Sequence, residues 1–436
     1  MNQKRSIIFW TIFVCLVFFG LLVTDTTPYL RGFADWPFQW RWGYYYIPTW
    51  IKLWAPSGVF LLLCWAYLTN CKNIFLIFSL SILWQVSLLY FGRSGIFVLV
   101  SRIIQPDANG YFTAAIHTTN FLDLIRNYPQ KLLTFSQHAR VHPPLAILPF
   151  WLVNKFFELV DIPNNFAPKT EGIKVIWQTL TNSQRNTAIL GSILAPVLSS
   201  FAIFPLFYWA KKLGKKTALT SLFFFILLPS LSLFLPLNDT FLPIFSCSVL
   251  LLISLDKFFW AGILAGIGTL FSFSLLPVWF FCLISNIKNV NKTIKFSFAF
   301  LGIFLIMNFV FGFDILKTST TIFSGTAKRD YLPWLFFGPL DFFIFSLIPI
   351  SIAFFASIKN YSKSLLLLIT ILILDLSGAS PAENGRILIT LSPILIVYAV
   401  DYLEKHYKFN KKDFLIFFAL GFVQIILMTE FWVTLW

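Results

Sequence analysis

Charge is what this chain has least of. Of its 436 residues only 12% are Asp, Glu, Lys or Arg, against 58% that are apolar. A water-soluble fold of this length needs a polar surface that such a composition cannot supply, which excludes a soluble enzyme or binding module. Acidic residues are the scarcer sign, 18 against 33 Lys and Arg. The surplus does not point to nucleic acid, because it falls in short clusters between apolar runs. These are Lys4-Arg5, Lys72, Lys211-Lys212 with Lys215-Lys216, Lys288 to Lys295, Lys359 with Lys363, and Lys405 to Lys412. That is the positive-inside pattern of membrane proteins, with added attraction to anionic headgroups. The five cysteines (Cys15, Cys64, Cys71, Cys247, Cys282) lie in or beside apolar segments, with neither a paired framework nor metal spacing. They read as small apolar packing residues. Phosphate-cradling glycine loops, G-x-S-x-G, H-E-x-x-H and C-x-x-C are all missing. So are Gly/Ser linkers, low-complexity tracts and a soluble tail, so residues 1–436 read as a single integral-membrane domain.

What the chain has in abundance is apolar runs, with 54 phenylalanines among them. Runs of roughly 17–25 residues suffice to cross ~30 Å of hydrocarbon as helix, and unbroken runs suit helices rather than alternating barrel strands. The expectation is an all-α polytopic membrane protein with about 12 to 14 transmembrane helices. The candidate spans are 6–23, 48–68, 74–91, 143–160, 187–210, 217–236, 240–255, 259–286 as a helical hairpin, 296–312, 341–358, 364–378, 387–402 and 413–432. Ile7–Val23 follows a basic start, but no small-residue cleavage site comes after it, so it reads as a retained span rather than a signal peptide. With the basic loops inside, loops 24–47, 92–142, 236–240, 313–340 and 379–386 fall outside. One conflict remains: if 143–160 and 187–210 both cross fully, Lys211–Lys216 lands outside. Either 143–160 is re-entrant, 161–186 hides a further crossing, or the charge rule fails there.

Between the apolar runs Ile74–Tyr90 and Leu145–Val160 lies a polar island, the external loop 92–142. It holds three of the four histidines: His117, His138 and His142. Within it Ile96–Ile104 and Phe112–Ile125 are too short or too polar to span and read as amphipathic helices lying along the membrane surface. Asp107 stands between Pro106 and Asn109-Gly110-Tyr111. Such a carboxylate either caps the helix that starts near Gly110 or is free to take a proton or hold a metal ion. His138, Arg140 and His142 alternate ahead of Pro143-Pro144, which set an extended lead into the next helix. They are either interface residues or a phosphate or metal site at a helix's positive end.

The later external loops repeat this choice between local structure and chemistry. Asn238-Asp239 sits in a turn with almost no other polar group, as an Asx turn or as a partnered acid near a cavity. Loop 313–340 carries Lys328-Arg329-Asp330 outside the basic pattern, which suggests anion binding. Glu383 and Arg386, three apart, can pair with each other, and Arg386 is also a natural fork for phosphate oxygens. Trp and Tyr in loop 24–47, among them Trp36 and Trp42, anchor a helix at headgroup depth or stack on sugar rings.

Taken in order, these pieces resemble the GT-C class of integral-membrane glycosyltransferases. The matching features are Asp107-x-x-x-Tyr111, His142-Pro143-Pro144 with His138 upstream, Asp239 after a Pro-containing run, Trp334 to Phe342, and Ser377-Gly378 with Glu383 and Arg386. Where many relatives carry two adjacent acids this chain has Asp107-Ala108, and where many read His-Pro-Pro-Gly it has Leu145. The resemblance implies an inverting transfer of a sugar from a polyprenyl-phosphate-linked donor to a hydroxyl of a lipid, glycan or protein acceptor. It places the site on the external face of a bacterial plasma membrane, in the cell envelope. Carried over, Asp107 is the catalytic base. Tyr111, His138, Arg140, His142, Asp239, Glu383 and Arg386 bind substrate, and Asp107 and His142 are candidates for a divalent cation such as Mg or Mn. A transporter or flippase of lipid-linked saccharides is the alternative. It would place its polar residues mid-helix within inverted repeats, and here they gather in the loops of one face.

Overall fold

The computed structural model describes residues 3–32, 42–160, 162–166, 168, 171–325, 331–378 and 383–433. Helices make up almost all of it, and the one sheet is a two-residue antiparallel pair, Gly43–Tyr44 against Trp432–Val433, that ties the first loop to the far end of the chain. The all-α polytopic reading holds. Several helices start where a side chain replaces a missing backbone acceptor. Asn73 accepts from the amides of Phe75 and Leu76 at 3.0 and 3.2 Å ahead of Ile74–Phe91. Thr181 with Gln184, and Asn410 with Asp413, form capping boxes for Asn182–Ser200 and Lys411–Phe431.

Among the described residues six helices are long and apolar enough to cross a membrane: Gln3–Thr24, Ile74–Phe91, Asn182–Ala210, Val290–Phe311, Asn384–Lys405 and Lys411–Phe431. A seventh span is possible if Tyr331–Phe345 and Ile348–Ser357, bent by 110° at Ser346-Leu347, are counted together. This is fewer than the 12 to 14 crossings expected. The difference lies in segments that read as full apolar runs but fold as short or broken helices. Trp54–Leu68, Asn238–Ser254, Phe258–Thr269 and Phe273–Ser285 fall in the 10–17-residue class. The run 217–236 splits into Lys215–Ile226 and Pro229–Leu233. The run 143–160 yields a 13-residue helix, Leu148–Val160, about 20 Å long and short of the ~30 Å of hydrocarbon. The two halves of 259–286 do not pair as a hairpin: Phe258–Thr269 packs on Val290–Phe311, and Leu276–Ser285 on Ser362–Leu376.

At the centre stands Ser392–Lys405, in which every residue from Ser392 to Leu403 is buried. A helix apolar on all sides belongs inside a bundle, and Ile348–Ser357 and Lys215–Ile226 close around it. Arg386 lies just ahead of it, in the short helix Asn384–Ile387. Elsewhere small residues set the spacing. A Cβ on Gly262 would come within 2.2 Å of the Phe296 carbonyl oxygen, and one on Gly266 within 2.8 Å of Ile303, so this small-xxx-small stripe lets two helices approach backbone to backbone. The 110° bend is stitched by Gln424, which accepts from the Ile348 amide at 3.0 Å and donates to the Ile344 carbonyl at 2.7 Å. Backbone freed by a broken helix needs such partners where water is absent.

The loop 92–142 departs from expectation too. Ile96–Ile104 becomes the helix Val98–Ile104, buried along almost its whole length. Phe112–Ile125 is two helices, Tyr111–Ile116 and Phe121–Arg126, parted at Asn120, which caps the second. The first is largely buried, whereas the second keeps an exposed face of Leu122, Asp123 and Arg126. Loop 313–340 is likewise largely helical, as Ile315–Gly325 and the start of Tyr331–Phe345. Trp36 and Lys328-Arg329-Asp330 lie outside the described residues.

Candidate active site

Four segments distant in sequence are laced together around Arg386. The Pro143-Pro144 stretch is strapped by the Leu145 amide to the Leu270 carbonyl at 3.1 Å. Asn238 donates to the Ala146 carbonyl at 3.0 Å, and Thr390 to the Ser274 carbonyl at 3.2 Å. Tyr128 donates to the His142 carbonyl at 2.7 Å. These cross-links bring the polar island, the 238–241 turn, the 270–275 turn and the 383–391 segment to one place.

Inside that frame Arg386 is the pivot. Its Nη2 lies 2.8 Å from Glu383 Oε2, its Nε 3.5 Å from Asp239 Oδ2, and its Nη1 3.5 Å from His138 Nδ1. The Arg386, Glu383 and Asp239 side chains are 7%, 6% and 4% exposed, so one buried cation faces two buried anions. Glu383 sits in the left-handed region at φ +61, which turns the chain sharply enough for it to face the arginine three residues on. Such a non-glycine conformation costs on the order of 1–3 kcal/mol and persists only where surrounding contacts impose it.

His142 and Tyr111 feel the charges of Asp239 and Arg386. Their rings meet edge to face at 5.2 Å, and both side chains are buried. Burial holds His142 below its usual range; the Asp239 carboxylate opposes that shift and the Arg386 cation adds to it. Burial, with Asp239 acting in the same direction, pushes the Tyr111 phenol well above its usual range. Both side chains therefore sit in the field of the Arg386 cluster, His142 as neutral imidazole and Tyr111 as un-ionised phenol at neutral pH. Asp341, which sequence reasoning did not single out as a site residue, joins from the Tyr331–Phe345 helix, where its carboxylate accepts from the Gly385 amide at 2.7 Å. An acid just after Gly338-Pro339 in an otherwise apolar stretch was the available signal.

The remaining expected residues lie differently. Asp107 is exposed, on the turn that ends at Gly110. That turn rests on the histidine-bearing segment: a Cβ on Gly110, at φ +70, would lie 2.0 Å from Ser136 Oγ and 3.2 Å from Ala139 Cβ. The helix start at Gly110 has no side-chain cap, so Asp107 does not serve as the cap. Arg140 is turned to its own segment, where Nη2 donates to the Phe135 and Leu133 carbonyls at 3.0 and 3.2 Å. It shapes the loop that presents His138. Among the described residues no three His, Cys, Asp or Glu side chains stand together as a metal site, and the two acids nearest the centre are already committed to Arg386.

The arrangement offers an exposed carboxylate, a neutral histidine and tyrosine, and an arginine that already faces two carboxylates. Comparison with known protein families, with curated proteins and with solved structures finds no match.

Proposed function

We propose that this chain is a membrane glycosyltransferase that moves a sugar from a polyprenyl-phosphate-linked donor to an acceptor hydroxyl, with inversion, on the external face of the membrane. One observation carries the reading. The solvent-facing Asp107 and the buried Arg386 cluster are joined by a single short segment, because Asp107 and Tyr111 are ends of one turn and Tyr111 packs on His142. A base that must meet an acceptor from solution belongs outside, and a group that must hold a leaving phosphate belongs in a dry site where its charge acts strongly.

The acceptor oxygen forms a bond to the anomeric carbon from the face opposite the phosphate, and its proton passes to the Asp107 carboxylate. The bond between the anomeric carbon and the phosphate oxygen breaks, and the polyprenyl phosphate departs with the electron pair. Arg386 and His138 meet the charge that develops on it. Because Arg386 already faces Asp239 and Glu383, the phosphate must compete with those carboxylates, which favours the more highly charged departing monoester over the singly charged diester of the ground state. That differential is the source of rate, and interactions of this kind contribute a few kcal/mol.

The test is transfer from a panel of labelled polyprenyl-phosphate sugars by purified protein and by Asp107→Asn. The variant should fold and insert normally, since substitution of an exposed side chain usually costs within about 0.5 kcal/mol. Transfer should fall roughly 10²–10⁴-fold, the usual contribution of a positioned base. Wild-type transfer by Asp107→Asn removes it as the base, and no transfer by the wild-type protein from any donor removes the reading.

A further inference from the structure

Away from the Arg386 cluster a second cleft opens where three helices end. It lies between the close of Ile74–Phe91, the start of Val98–Ile104, the Pro229–Leu233 turn and the close of Lys411–Phe431, and it has a volume of about 70 Å³. We propose that this cleft binds the phosphate headgroup of a single-chain or double-chain lipid whose tail stays in the bilayer. The proposal does not rest on the transferase reading.

Three observations point there. The polar walls are basic: Arg93 and Arg102 both line the cleft. Arg102 is 5% exposed and donates from Nη1 to the carbonyls of Leu233, at 2.9 Å, and Leu235. A guanidinium so deeply buried is costly to keep and marks a place where negative charge is wanted. Second, Ser232 lines the same cleft and is 3% exposed, and its hydroxyl is one of the buried polar groups with no hydrogen-bond partner; the Arg93 Nε is another. Buried donors without partners are rare, and a phosphate oxygen satisfies both kinds. Third, the space is far below the several hundred Å³ of a typical small-molecule site, yet large enough for one phosphate. Leu88, Leu89 and Val98 form the apolar wall, and Ile96 and Phe97 beside it are 44% and 60% exposed. A ligand that puts only its head inside and lays its tail on exposed apolar surface fits that shape.

One acidic group stands nearby. Glu430 lies 3.7 Å from Arg93 and is fully buried, but it also accepts from the amide and hydroxyl of Thr49. Its charge is shared between the loop and Arg93, and Arg102 stands on the opposite wall. The Arg93 guanidinium lies over the Tyr45 ring at 4.1 Å, which holds its fork in one orientation.

The test uses the full-length protein in detergent and an alkyl phosphate monoester carrying a diazirine near its head. Photolysis should place adducts within 88–98 and 229–235. Arg93→Gln should lower labelling about tenfold, the loss of one charge-assisted contact, and Ser232→Ala by about threefold. The matched phosphate-free alcohol should not label these segments. Competition separates the two sources of the same chemistry: phosphatidic acid displaces the probe if the site takes a bilayer lipid, and a polyprenyl monophosphate if it takes a carrier lipid. Asp107→Asn should leave the labelling unchanged, so a failed transferase reading does not touch this result. Labelling that ignores Arg93→Gln, equal labelling by the alcohol, or competition by neither phosphate lipid overturns the proposal.

Discussion

Replacing Arg386 by Gln tests the centre of the candidate site without reference to any substrate. The side chain is 7% exposed and faces Glu383 at 2.8 Å and Asp239 at 3.5 Å. Removing one partner of a buried ion pair typically costs about 3–5 kcal/mol, because the remaining charge is left buried and uncompensated. Arg386→Gln leaves two. Scaling the usual unfolding entropy to 436 residues gives roughly 1 °C of Tm per kcal/mol, so the variant should melt roughly 3–5 °C lower. The double variant Arg386→Gln/Asp239→Asn removes one of the stranded charges while keeping its shape. It should regain at least about 1 kcal/mol relative to Arg386→Gln alone, a coupling of the size expected for groups in one network. The assay is thermal unfolding of the detergent-solubilised protein followed by tryptophan fluorescence, with size exclusion to confirm that each variant is monodisperse. If Arg386→Gln melts like the wild type, or if the second substitution only adds to the loss, the buried cluster does not hold together as described.

Other expectations follow from the same geometry. His142 is held below its usual range, so between its folded and unfolded values the unfolded chain binds a proton that the folded chain refuses. Its contribution is therefore fully present above pH ~6.5 and is lost as pH falls below that value. Thermal stability measured from pH 8 to pH 5 should decline less steeply in His142→Gln than in wild type, and equal slopes would rule out this origin. Gly110→Ala places a side chain at φ +70 and drives a Cβ into Ser136 Oγ. It should cost about 1–2 kcal/mol from the backbone alone, and adding Ser136→Gly should restore the part due to collision but not the part due to φ. A Gly110→Ala protein with wild-type stability would mean that the turn carrying Asp107 is not built as described.

Composition made the fold class legible, because nothing in water hides this much apolar side chain, and the long spans at both ends of the chain fall where hydropathy put them. Helix breaks were not legible in the same way. The bend at Ser346-Leu347 depends on Gln424, 76 residues from the Ile348 amide it receives, and no local pattern announces that. Segments such as 217–236 look continuous because hydropathy counts side chains and does not register where the backbone stops bonding to itself. The site shows the same division. Asp239, Glu383, Arg386, His138 and His142 stood out because ionisable groups are costly beside hydrocarbon, and the fold brings them together. Arg140 looked equivalent to its neighbours in sequence, but its guanidinium is spent on two carbonyls of its own loop. Asp341 stood at the start of the expected span 341–358, within the Trp334–Phe342 match, but nothing local showed that its carboxylate would reach the Gly385 amide.

The Arg386 cluster and the proposed phosphate cleft are joined through one run of chain. Arg102 grips the carbonyls of Leu233 and Leu235, and the same strand of chain runs on through Leu237 to Asn238, tied to Ala146, and to Asp239, facing Arg386. Arg102 also leads directly into the Asp107 turn. A ligand that draws Arg102 outward therefore pulls on both the carboxylate that balances Arg386 and the turn that carries Asp107. Packed interiors respond to such pulls by shifting between discrete arrangements rather than stretching. A phosphate in the cleft should thus change the competition between Asp239 and an incoming anion for Arg386. The consequence is measurable: occupancy of the cleft by a phosphate lipid should alter the rate of transfer at fixed donor concentration in wild type. It should do so far less in Arg93→Gln, whose Asp107 and Arg386 are untouched. Equal response in the two proteins would mean that the two sites, though joined through one segment, act independently.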